Sequence, residues 1–174
     1  ERDIPMNAIY QAYHMPGRGH QDYFASDLIS DILGRGKSSR LFNQLVKKNP
    51  LFSDINAYVT GSIDPGLLII SGRLNEEVAF DTAREAISEI IDDIKLKSIS
   101  EQELNKVKNQ AESTLVLAEM EMLNRAINLA YFSILGDTNA INKETENIQG
   151  VTLQKVNQLA NHILAIENRN TVFY

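Results

Sequence analysis

The chain has no cysteine and no tryptophan, and only four prolines among 174 residues. Without thiols it can build neither a disulfide framework nor a thiolate zinc site, and cysteine usage gives no clue to a redox compartment. An excess of cations is missing too: 17 Lys and Arg face 23 Asp and Glu, giving a net charge of −6 and a pI near 5.1. Phosphate polyanions and anionic lipid surfaces select clustered Lys and Arg, so neither nucleic acid nor a membrane is an expected partner. The longest apolar runs, such as Leu67 to Ile70, are far too short to span a bilayer. Histidine is scarce. His14 and His20 straddle a Pro-Gly turn and His162 lies far downstream, so no two imidazoles share a helix face, and surface or packing roles are expected. No His-x-x-Glu-His, Gly-x-Ser-x-Gly or complete phosphate loop occurs.

What is present suits one α+β domain over residues 1–174, since 43% hydrophobic residues suffice for one sizeable core. The chain opens on Glu1 with no methionine or signal-like core, and it reads as a C-terminal-type piece of something larger. Alternation from Asn7 to His14 predicts a first strand, and His20 to Leu33 a helix bearing Phe24, Leu28, Ile29 and Ile32. Ser39 to Lys48 reads as a second helix, stopped by Asn49-Pro50. Asp54 to Thr60 and Leu67 to Leu74 alternate on either side of Asp64-Pro65-Gly66, the pattern of a hairpin with one wet face. The period then changes to about 3.6. Phe80, Ala83, Ile87, Ile90 and Ile94 form one apolar stripe. Ser100 and Glu103 make a capping box, and no Pro or Gly interrupts Glu101 to Leu135, so one very long helix or two nearly continuous ones are expected. A short helix over Asn139 to Asn147, a Thr152-capped last helix and a closing strand from Asn168 to Tyr174 complete the order. The predicted architecture is an antiparallel or mixed sheet with helices on one face.

Leu33-Gly34-Arg35-Gly36-Lys37-Ser38-Ser39-Arg40-Leu41-Phe42 is the most specific stretch. Gly34 ends one helix, Gly36 allows a backbone conformation that side chains resist, and Ser38 or Ser39 caps the next helix. Its Gly-Lys-Ser ending imitates a phosphate loop, but it follows a helix and lacks the earlier glycine, so a hinge is the better reading. The acidic residues Glu103, Glu112, Glu119 and Glu121 fit a solvated helix face, and Met120 with Met122 fits core or interface filler.

Taken in order, Gly36 to Phe42, His14-Met15-Pro16 upstream, the turn Asp64-Pro65-Gly66, the helix start Ser100 to Leu104, and Val151 to Val156 followed by a closing strand resemble the insulinase/pitrilysin zinc metallopeptidases. That family includes the mitochondrial processing peptidase, and the likeness runs from about Met6 to the end. It implies half-shells of two α+β domains closing around unfolded peptide, with zinc held by an inverted His-x-x-Glu-His helix in the first domain of one half. This chain, lacking that motif, is implied to be the second, non-zinc type. The expected partners are a catalytic zinc half, in the same chain or a partner subunit, and unfolded peptide, with a dimer among the arrangements this allows. Zinc is expected in the parent protein or partner. Family members often carry an Arg and a Tyr beyond the Ser-Arg-Leu-Phe helix. Ungapped counting puts those positions on Val46 and Ser53, and a five-residue shift would reach Tyr58. The resemblance thus implies no catalytic or metal residue here, only wall and closing interface, with weak substrate contact at Gly34, Gly36 and Lys37. Alternatives are a silent scaffold or partner subunit of the same family, or an unrelated α+β interaction module.

Overall fold

In β1 (Ala8–Met15) the side chains of Ile9, Gln11, Tyr13 and Met15 turn to one side and are buried, while Tyr10 and His14 stay exposed on the other. That period of two sets the whole sheet. The computed structural model describes residues 7–174, in which β2 (Phe52–Val59), β3 (Gly66–Leu74) and β4 (Arg169–Phe173) join β1 in the order β2-β3-β1-β4. Every pairing is antiparallel. The mixed-sheet option is thereby removed. β2 and β3 form the expected hairpin, with a bulge between Phe52 and Asp54 that leaves Ser53 outside the regular ladder.

Helices cover one face only. α1 (Tyr23–Gly34) lays Leu28, Ile29, Ile32 and Leu33 on the sheet, α3 (Phe80–Lys97) adds Ala83, Ile87, Ile90 and Ile94, and α7 (Leu153–Ile163) adds Val156, Leu159 and Ile163. Full burial of each such side chain contributes about 1.5–3 kcal/mol, so these three helices and the inner sheet face make up most of the core. The predicted helix from Ser39 to Lys48 is instead a short α2 (Arg40–Phe42) that widens into π-helical turns over Asn43–Lys48.

The uninterrupted segment after Ser100 resolves into α4 (Glu101–Glu119) and α5 (Met122–Ile134), parted at Met120 and Glu121, where the Glu121 backbone is extended. The capping box forms as expected: the Glu103 N–H donates to Ser100 Oγ at 3.3 Å and the Ser100 N–H to Glu103 Oε2 at 3.0 Å. α4 is buried only along Leu104, Val107, Lys108 and Ala111, in its first half. Its second half and α5 form an arm that buries a single side chain, Phe132. A 3₁₀ turn (Thr138–Lys143) and α6 (Glu144–Gln149) bring the chain back, and Thr152 caps α7 by accepting from the Lys155 N–H at 3.2 Å.

Candidate functional site

The glycine turn lies in the helix layer. Gly34, last residue of α1, presses on β2 so closely that a Cβ there would stand 1.9 Å from the Ala57 nitrogen. Only a residue without a side chain permits that approach. Gly36 has φ +76°, and a Cβ there would meet nothing, so the glycine is required by the left-handed turn itself. Ser39 holds the N-cap position of α2, but its hydroxyl donates back to the Gly36 carbonyl at 2.8 Å instead of accepting a helix N–H. Ser38 does not cap either; its carbonyl accepts from Lys106 Nζ at 3.2 Å. Lys37 is exposed at the tip.

Three cross-links tie this turn to α4. Arg35 pairs with Asp31 and reaches Thr114 Oγ1 at 3.4 Å, Lys106 meets Ser38, and Arg40 forms a fork on Glu103, with Nε to Oε1 at 2.8 Å and Nη2 to Oε2 at 2.9 Å. The Arg40 hydrogen bond, with help from Ser100, holds the Glu103 carboxyl down at about 2. Glu103 is thus not part of a solvated face, as its sequence neighbourhood suggests, but the shared partner of a cap and an arginine. A groove of about 620 Å³ opens beside it, bordered by Arg40, Gln44, Lys48, Glu89 and Asp93 and by the apolar Leu45 and Ile90.

The sheet's second face is open. Register places Tyr58, Ile69, Ala12 and Asn170 in one row across it, and Asn56, Ser71, Tyr10 and Val172 in the next. Ser71 Oγ donates to Asn56 Oδ1 at 2.8 Å, and Arg73 faces Asp54 at 3.8 Å. Tyr10 and Tyr58 are 42% and 45% exposed, so two aromatic rings stand on a half-polar surface flanked by β2 and β4, the outer strands of the sheet among the described residues. Val46 is partly buried in the π-helical stretch, whereas the Ser53 hydroxyl at the bulge donates to the Arg73 carbonyl at 3.2 Å. Tyr58 stands on the open face.

The fold brings His14, His20 and His162 to one groove of about 740 Å³, with Asp22 and Glu167 on its walls. Sequence spacing hides this, because the three come from β1, the following turn and α7. Among the described residues, no three His, Asp or Glu side chains are arranged to hold a metal ion, so this groove does not fit zinc.

Another constellation had no sequence signal. Arg18, in the Pro-Gly turn after β1, pairs with Glu144 of α6 at 2.5 Å and lies over the rings of Tyr23, Tyr131 and Phe132 at 5.5, 5.3 and 5.8 Å. The pair is 126 residues apart, beyond any spacing rule. It pins the end of the arm to the main body. Beneath it, burial raises the Asp27 carboxyl, and burial reinforced by Asp27 raises Asp31 to about 6 against the pull of Arg35. Under the sheet, burial pushes the Tyr13 phenol up to about 12, and it donates to Gln11 Oε1 at 3.0 Å.

The sequence profile described as "Peptidase M16 inactive domain" matches residues 1–111. An uncharacterized zinc protease of Mycobacterium bovis is 25% identical over 165 residues, which is 94% of this chain and 37% of that protein. A protease from Helicobacter pylori superposes with a TM-score of 0.92 at 21% identity, over 99% of this chain and 42% of that one. An inactive peptidase domain from Bordetella parapertussis gives 0.90 at 22% identity, covering 99% of this chain and 94% of that one. At these identities the two structures share the fold. The chain spans little more than a third of the length of the curated relatives it matches, as the Mycobacterium bovis figure of 37% indicates.

Proposed function

Because the chain belongs to the peptidase M16 inactive-domain family, we propose that it forms part of the wall and closing interface of a peptide-holding chamber, in a zinc metallopeptidase whose metal sits in a companion catalytic half. The observation that carries this reading is the sheet face left bare by the helices. It offers Tyr10 and Tyr58 for apolar contact and Asn56, Ser71 and Asn170 for hydrogen bonds, between two edge strands with no strand beyond them among the described residues. An extended peptide can pair with such an edge through its main chain, which gives affinity with little choice of sequence. Backbone pairing suits a chamber that must accept many unfolded segments.

In this reading no residue here supplies a nucleophile, a base or a metal ligand. Lys37 is the weak peptide contact from the turn, with Gly34 and Gly36 shaping the backbone that presents it. Zinc and the attacking water belong to the companion half. The test is to titrate the isotope-labelled chain with an unstructured peptide. Amide shifts are expected along β2 or β4 and around Tyr58, and no peptide turnover in the presence of zinc. Turnover by this chain alone sinks the reading.

A further inference from the structure

We propose that the half-enclosed cavity between the arm and the body binds a free α-amino acid with an aromatic or branched aliphatic side chain. The proposal stands apart from the chamber reading and uses none of the residues on the open sheet face. The cavity holds about 410 Å³, within the range of small-molecule sites. Its walls come from both sides of the seam. The turn after β1 and the start of α1 supply Arg18 and Phe24, and the end of α5, the 3₁₀ turn and α6 supply Phe132, Ala140 and Glu144. The ion pair that pins the arm therefore also closes this space.

Three chemistries meet there. Phe24, Phe132 and Leu135 give an apolar wall, which rewards a ligand that brings a ring or a branched alkyl group. Arg18 is an under-used cation: Nη2 donates to Glu144 at 2.5 Å, and Nε is buried with no partner among the described residues. A guanidinium carries five N–H donors, so Arg18 keeps some for a carboxylate, the anion its planar fork matches best. Asp137 spends Oδ1 on the Asn139 N–H at 3.0 Å and meets no cation in an ion pair among the described residues, which leaves it to receive an ammonium. A simple acid would set its charge against Asp137, and a simple amine would set its charge against Arg18. A zwitterion answers both while its side chain covers the rings. Ammonium, carboxylate and apolar group on one carbon describe an α-amino acid.

L-Tryptophan is the probe, because the chain has no tryptophan and indole emission then reports on the ligand alone. The chain itself is the sample: it carries its own core and covers 94% of the Bordetella parapertussis structure, which is that of an inactive peptidase domain. Titration should give a saturable blue shift of the indole emission. Tryptamine, which lacks the carboxylate, and indole-3-propionate, which lacks the ammonium, should each bind about tenfold more weakly. Asp137→Asn keeps an acceptor for the Asn139 N–H, and it should weaken L-tryptophan about tenfold while leaving indole-3-propionate unchanged. Ala140→Phe, at a half-buried wall position, should fill the cavity and abolish binding of all three indoles. With L-tryptophan bound, hydrogen exchange should slow in α5 and α6, since the ligand touches both sides of the seam. The absence of a saturable shift overturns the proposal. So does equal affinity for the three indoles, which would mark a merely apolar crevice, and so does undiminished binding to Ala140→Phe, which would place the site elsewhere. Should Ala140→Phe fail to fold, Asp137→Asn decides alone: an equal change for L-tryptophan and indole-3-propionate, or none for either, overturns the proposal.

Discussion

Helix α4 buries Leu104, Val107, Lys108 and Ala111 in its first half and nothing in its second, yet one apolar period runs through both and on into α5. The two halves differ only in what stands beside them. The first half lies on α1 and α6, tied by Arg40 to Glu103 and by Lys108 Nζ to the Gln149 carbonyl at 2.8 Å. In the second half Leu115 still packs against the core, but Val116 and Leu117 stand 54% and 65% exposed. A hydrophobic period fixes which face of a helix will be covered; it does not say by what.

The largest effect that can break this comparison is a cavity. Leu28→Ala in α1, at a site 2% exposed, should cost about 2–5 kcal/mol in urea unfolding of the chain. Leu123→Ala in α5, at a site 71% exposed, should stay within about 0.5 kcal/mol. Equal costs at the two positions would show that the arm is packed in solution and that the division into body and arm is wrong. Next in size is the clamp between them. Arg18→Met strands the buried Glu144 carboxylate, for an expected loss of about 2–4 kcal/mol. Hydrogen exchange should accelerate in α5 and α6 while β1 and β3 keep their protection. Adding Glu144→Gln should recover part of the loss, since the unpaired charge is then gone; no recovery would mean that stacking on Tyr131 and Phe132, not the ion pair, holds the arm.

The body was legible in the sequence because its signals are local. The hairpin around Asp64-Pro65-Gly66, the Ser100–Glu103 box and the Thr152 cap each rest on residues within a few positions of one another, and each forms where expected. Three features escaped because their causes are distant. The helix after Ser39 becomes π-helical over Asn43–Lys48, and propensity carries no mark of that. Arg18 finds Glu144 only through the fold. Gln11 alternates with exposed positions as an apolar strand residue would, and it is fully buried with its Nε2 unpaired. For the candidate site, the sequence located the glycine turn but gave no sign that Gly34 is spent on the approach to Ala57, or that the three histidines share one groove.

The seam between body and arm also titrates. Burial and Asp27 raise Asp31 to about 6, so the native state holds its proton more tightly than the unfolded chain does. Stability from this group is therefore present at low pH and falls as pH rises from the ordinary value of about 4 toward 6. Glu103 has the opposite sign. Held at about 2 by Arg40 and Ser100, it contributes stability above its ordinary range and loses it as pH falls toward 2. Urea midpoints measured against pH should rise on acidification from 7 to 5 in the parent and flatten between 4 and 6 in Asp31→Asn. An unchanged slope in that variant would place the responsible proton elsewhere. In the body, Ser100→Ala removes one half of the capping box and should cost about 1 kcal/mol, read from the same curves.

An effect as small as the cap's comes from a body residue at the tip of the glycine turn. A Cβ at Gly36 would meet nothing within 4 Å, so Gly36→Ala adds no clash, and its only cost is the left-handed backbone at φ +76°, about 1 kcal/mol. Two residues away, Gly34→Ala meets the Ala57 backbone at 1.9 Å and must push α1 off β2, which costs more because backbone cannot step aside as a side-chain tip can. Unfolding curves of the two variants separate conformation from contact within one turn. If Gly36→Ala proves as damaging as Gly34→Ala, the tip of the turn is held by something besides its own dihedral. Lys37, next to it and exposed, would then be the first place to look for a peptide contact.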